Sequence, residues 1–150
     1  MTDSSAPGEA PRPPRRIVVA YDGSAPSDRA VRFALDWFDR GQSEVWIVHA
    51  ASPPRIVAEP RTEEEQGSEV SAIEQELRAV QSHADPSGAR VHVRVREGAP
   101  PAVILATADE VKADLIVVGT RGLRGASRLL LGSVSSEVLV RSKHPVTVVP

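Results

Sequence analysis

The residues with the clearest chemical potential lie between Gly119 and Ser135, where G-T-R-G-L-R-G-A-S-R-L-L-L-G-S-V-S reads as G-x2-G-x9-G-S-x-S. Glycine directly after a buried strand lets the backbone approach a ligand without side-chain obstruction. Gly132, Ser133 and Ser135 place amides and hydroxyls at the start of a helix, a position that attracts phosphate oxygens. The helix dipole contributes only about 0.3–1 kcal/mol at an exposed site, so most phosphate affinity has to come from convergent hydrogen bonds. This is not a Walker P-loop, because that motif needs G-x4-G-K-[ST] and no lysine follows any glycine here. Nor is it a dinucleotide fingerprint, since Asp22-Gly23-Ser24 stands where G-x-G-x2-G would follow the first strand. A lone G-x2-G reads as turn punctuation; the extended spacing is what points to a nucleotide.

Other polar residues divide between two readings. Asp22 reads as the turn or N-cap residue of the first helix, as a ligand contact, or as both together, and as a site carboxylate it suits ribose or magnesium better than phosphate. Arg121, Arg124 and Arg128 have the charge to neutralise a triphosphate, although exposed loop arginines are more often simply solvated. His49, ending the second strand, is placed for a position near an adenine, but with no carboxylate neighbour it reads as structural rather than catalytic. His83, His92 and His144 lack metal-ligand spacing. Glu63, Glu64 and Glu65 read as a solvated run, and Trp37 and Trp46 as packing against the sheet.

The elements that must position these groups alternate regularly. The run from Arg16, IVVAY, reads as a strand buried on both faces, bounded by Asp22-Gly23-Ser24. Ala30, Val31, Ala34, Leu35 and Phe38 then share one side of a helix that Gly41 closes. Val45 to His49 forms a second strand, and Val70, Ile73, Leu77 and Val80 mark a second helix. Between them, Ala51 to Gly67 is a long connection with Pro53, Pro54 and Pro60 and several acidic residues, expected to be mobile. Strand 3, Arg90 to Arg96, alternates Val91, Val93 and Val95 with His92, Arg94 and Arg96, as a sheet edge with one covered face does. Pro100 and Pro101 open a third helix through Val111, strand 4 is LIVVG at 115–119, a fourth helix begins at Gly132-Ser133, and Pro145 stops it before a last strand, Val146 to Val149. Strict alternation calls for an α/β fold, a five-stranded parallel sheet with helices on both faces, and places the ligand above the carboxyl ends of strands 1 and 4.

Composition bounds the function. A chain of 150 residues, 41% hydrophobic, suits one domain; residues 1–15 read as a disordered tail and 16–150 as the domain. Without cysteine there is no disulfide, thiol nucleophile or cysteine-held metal. The N-terminus lacks an apolar leader and no apolar run is long enough to span a bilayer, so a soluble, cytoplasmic protein is expected. A net charge of −2 with mixed signs gives no stripe for nucleic acid and no cationic face for membrane.

From Arg16 to Pro150 the chain resembles the universal stress protein family, in particular its ATP-binding branch with the signature G-x2-G-x9-G-[ST]. The opening I-V-V-A-x-D-G-S, the His-containing end of strand 2, the A-D-L-I-V-V-G-T-R-G run and the closing H-P-V-T-V-V carry the likeness. The resemblance implies a Rossmann-like, adenine nucleotide alpha hydrolase-like three-layer sandwich with strand order 3-2-1-4-5. It implies that Ala20, Asp22 and Ala50 border the adenosine, that Val118, Gly119 and Gly122 line the ribose and the turn toward phosphate, and that Gly132, Ser133, Val134 and Ser135 bind phosphates. ATP, with magnesium as a candidate companion, is the expected ligand; no residue is assigned a catalytic or metal-ligating role. In that strand order the apolar last strand is a poorly guarded edge, so a homodimer through it is expected, as the resemblance also implies. A nucleotide-dependent sensor in the stress response, acting on an unknown protein partner, is the leading reading. A slow ATPase or phosphotransferase and a nucleotide-free structural dimer are the alternatives; the sequence offers no evident base for the former.

Overall fold

Short runs of β-branched residues dominate the sheet because each strand is buried on one or both faces, where stiff branched side chains pack well. The computed structural model describes residues 15–37, 42–51, 71–72, 74–79, 82, 90–120 and 131–150. The expectations for the tail before Arg15, for Phe38, Gly41, Val70, Ile73, Val80 and His83, for the connection 52–67 with its three glutamates, and for Arg121, Gly122, Arg124 and Arg128 fall outside the described residues.

The described elements run β1 (Arg16–Ala20), α1 (Ala25–Trp37), β2 (Glu44–Ala51), β3 (Arg90–Glu97), α2 (Pro100–Val111), β4 (Leu115–Gly119), α3 (Ser133–Arg141) and β5 (Val146–Val149). Helical backbone is also present at 71–72, 74–79 and 82. All strand pairs are parallel and the order is β3-β2-β1-β4-β5, as expected. Pairing begins at Arg15, counted with the tail in the sequence: its carbonyl accepts the Glu44 N–H at 2.6 Å, and its own N–H donates to the Asp114 carboxylate at 2.9 Å.

Alternation along the strands splits the core into two layers. Ile17 and Val19 of β1, Val45 and Ile47 of β2 and Val117 of β4 pack with Ala30, Val31 and Ala34 of α1 and with Leu77. Val18, Val48, Ile116 and Val118 point the other way, onto Val103, Ile104 and Ala108 of α2 and Val138 of α3. Each fully buried Val or Ile contributes roughly 1.5–3 kcal/mol, so the central strands anchor the fold.

The edge strand β3 keeps its expected two faces. Val91, Val93 and Val95 pack on the α1 side, and the polar face is layered rather than bare. His92 stacks on Trp46 with centroids 4.0 Å apart, and the Arg94 guanidinium lies 4.5 Å from the Trp46 ring centre. Arg94 and Arg96 both reach Glu110 of α2, at 2.8 and 2.6 Å, and hydrogen bonding to Arg96 is the main reason the Glu110 carboxyl sits below its usual range. Trp46 therefore packs as expected, whereas Trp37 does not: it is 75% exposed. Trp37 stacks on Phe33, one turn earlier, with centroids 5.3 Å apart. The pair rides on the flank of the stripe Ser27, Ala30, Val31 and Ala34, and a helix buries one stripe, not every large apolar residue.

α2 ends with Lys112 in the left-handed region at φ 52°, its N–H bonded back to Ala108 and Asp109, a position that favours glycine. Lys112→Gly is expected to raise stability by about 1 kcal/mol by removing the Cβ penalty. A urea midpoint that stays put or falls would show that the lysine is not strained there.

Candidate functional site

The turn after β1 is built by its own side chains. Asp22 Oδ1 accepts the Ser24 N–H at 3.0 Å, with Gly23 between them at φ 78°. Ser24 is the residue that caps α1, since its Oγ accepts the Ser27 N–H at 3.3 Å. Ser27 answers by donating its hydroxyl to the Ser24 carbonyl at 2.8 Å. Asp22 thus fills the turn role of its two sequence readings. Just before it, the Tyr21 N–H donates to Val48 O and the Tyr21 carbonyl accepts from His49 Nδ1, each at 2.9 Å. A carbonyl only accepts, so His49 Nδ1 is the donor, and His49 serves to hold the end of β1. Burial, followed by the hydrogen bond to Glu76, pushes the Tyr21 phenol well above its ordinary range.

Gly119, ending β4, has a packing reason of its own. A Cβ there would fall 2.8 Å from the Pro26 carbonyl carbon and 2.8 Å from the Pro26 Cβ, so α1 lies against β4 with no room for a side chain. Sequence reasoning read this glycine as clearance for a ligand; its contact with Pro26 was not visible in the local pattern.

Beyond Gly119, the backbone of one residue gathers three elements. The Thr120 N–H donates to Val149 O of β5 at 2.8 Å, and the Thr120 carbonyl accepts the Gly132 N–H at 2.6 Å and the Ser135 hydroxyl at 3.1 Å. Ser135 is only 3% exposed, and its hydroxyl also lies 3.0 Å from Gly132 O. Gly132 is the N-cap of α3, in extended geometry and without a side-chain cap. The first helical bond runs from Ser136 N–H to Gly132 O at 2.9 Å. The amides of Ser133, Val134 and Ser135 therefore have no acceptor within the helix, and Ser133 beside them is exposed.

Of the residues singled out from the sequence, Ala20, Ala50, Val118 and Val134 all border the layer packed on α2 and α3. Ala20 pairs with Val48, two residues short of Ala50, so the ends of β1 and β2 lie together, and Val118 and Gly119 end the next strand, β4. Gly132, Ser133 and Ser135 are brought to the same end through Thr120. β1 feeds α1 on one face of the sheet while β4 precedes α3 on the other, the arrangement that opens a crevice at the carboxyl ends of parallel strands. Among the described residues no group of three or more His, Asp or Glu is placed to hold a metal ion. His144 instead joins Asp109 through Nε2 at 2.8 Å.

The sequence pattern of the universal stress protein family matches residues 13–150. The chain belongs to this family. Among its relatives, a universal stress protein of Methanocaldococcus jannaschii is 34% identical over 144 residues, covering 90% of this chain and 81% of that protein. A universal stress protein solved in complex with cAMP is 34% identical with a TM-score of 0.68, covering 93% of this chain and 98% of that one. The universal stress protein of Archaeoglobus fulgidus, solved in complex with dAMP, is 27% identical with a TM-score of 0.66, covering 91% and 98%. The architecture of this chain is thus that of the universal stress protein fold.

Gly119→Ala is expected to cost about 1–3 kcal/mol by forcing α1 away from β4, measurable as a lower urea midpoint in the absence of any ligand. Wild-type stability in that variant would mean that Pro26 yields without cost.

Proposed function

We propose that this universal stress protein is an adenine-nucleotide-binding regulatory module, with ATP as its nucleotide, acting in the cytoplasm in the stress response. The observation that carries the reading is the start of α3. Three successive amides without helical acceptors, no side-chain cap and an exposed Ser133 stand beside the carboxyl end of β4. A phosphate chain supplies the acceptors that this helix start lacks. Relatives solved with cAMP and with dAMP support an adenine nucleotide as the occupant.

In this reading Ala20, Asp22 and Ala50 border the adenosine, and Val118, Gly119 and Gly122 line the ribose and the path toward phosphate. Ser133, Val134 and Ser135 offer amides to the phosphates. Gly132 contributes mainly through its missing side chain, because its own N–H is given to Thr120. Magnesium would enter with the triphosphate, which usually keeps most of its ligands as water and phosphate oxygens. The charge stabilisation that phosphoryl transfer demands, together with a base or water-orienting group, has no assigned residue here, and the function we infer is binding rather than turnover.

Calorimetric titration with magnesium-ATP, AMP and cAMP tests this directly. Binding of ATP that weakens about tenfold in Ser133→Ala is expected, the size of one lost charge-assisted hydrogen bond. No heat with any of the three at millimolar concentration would remove the reading.

We also infer that two copies pair along β5. That strand is the outer one next to β4, its residues are apolar apart from Thr147, and Leu139 and Val140 of neighbouring α3 are exposed, Val140 to 83%. Light scattering at micromolar concentration is expected to return twice the chain mass; the mass of one chain would eliminate this pairing.

A further inference from the structure

We propose that the Ser135 hydroxyl, rather than touching phosphate, is a positioning group that fixes the start of α3 against the end of β4. The assignment rests on the nucleotide reading above and concerns how the phosphate end of that site is held in place. Ser135 is 3% exposed, and its single hydroxyl proton is directed at two carbonyls, Thr120 O at 3.1 Å and Gly132 O at 3.0 Å. A serine has one proton to donate, and here protein acceptors claim it. Exposed Ser133, two residues earlier, is the hydroxyl a ligand can reach.

The contact matters because of what Thr120 joins. Its carbonyl takes donors from Gly132 and Ser135, both at the start of α3, while its N–H is held by Val149 of β5. β4, α3 and β5 are thereby referred to a single residue, with residues 121–130 spanned by the Thr120–Gly132 and Thr120–Ser135 bonds. The Ser133 and Val134 amides follow directly from Gly132, so their aim depends on how firmly Gly132 is tied to Thr120. Removing the hydroxyl leaves the part-buried Thr120 carbonyl with one donor fewer and lets the helix start shift, and recognition of several phosphate oxygens at once tolerates little displacement.

The test combines binding with an exchange measurement that needs no nucleotide. Ser135→Ala is expected to weaken ATP about tenfold while leaving adenosine affinity unchanged, and Ser135→Thr, which keeps the hydroxyl, to restore ATP binding. In ligand-free protein, amide hydrogen exchange at Gly132 should accelerate in Ser135→Ala and stay at the wild-type rate in Ser133→Ala. An unchanged ratio of ATP to adenosine affinity in Ser135→Ala overturns the proposal, and so does unchanged Gly132 exchange in a wild-type protein that binds ATP. If the wild type binds no nucleotide yet Ser135→Ala still speeds Gly132 exchange, the nucleotide reading is what fails, while the tie between Ser135 and the start of α3 stands.

Discussion

The contact between Pro26 and Gly119 sets the geometry of the whole upper end of the sheet. α1 crosses β4 so closely that a single methyl group would meet backbone, and this draws the first turn of the helix over the last residue of the strand. Packing of that kind transmits shape because interiors leave few voids to absorb a mismatch. With α1 fixed on one face, the turn at Asp22–Ser24 is fixed too, and the chain leaving β4 reaches α3 on the other face. The crevice is thus a product of two packed layers meeting at one glycine, with Thr120 holding its second wall.

That architecture explains why the chemistry offered is mostly backbone chemistry. Asp22 is occupied with the Ser24 amide, His49 with the Tyr21 carbonyl, and Arg94 and Arg96 of β3 with Glu110. Among the described residues, this end of the sheet keeps a helix start whose first amides have no acceptor within the helix and a small set of hydroxyls. Such a site favours anions through directed hydrogen bonds, while the modest helix dipole only adds to them.

The sheet was legible because burial on both faces leaves an unmistakable mark. IVVAY and LIVVG could be little else than central strands, and the alternation of Val91, Val93 and Val95 with charged residues predicted both the edge position of β3 and its two faces. β2 extends beyond Val45 to His49 at both ends, to Glu44 and Ala51, since pairing with β3 continues past the apolar run that periodicity detects. Trp37 was misread because size suggests burial, whereas its place on the flank of α1 leaves it exposed. The double meaning of Gly119 was hidden for a different reason: its partner Pro26 is distant in sequence, and clearance for a ligand and clearance for a helix select the same residue. Ser133 and Ser135 looked equivalent in the motif; only the fold, which buries one and exposes the other, separates them.

The most direct measurement is a two-dimensional amide NMR titration of the wild-type protein with magnesium-ATP. The structure predicts that the Ser133, Val134 and Ser135 amides shift most strongly, because they are the donors without helical acceptors, while amides of the β3 edge such as Val93 stay in place. Shifts concentrated away from α3, or none at its first turn at saturating nucleotide, would contradict a phosphate site there and with it the proposed role of this protein.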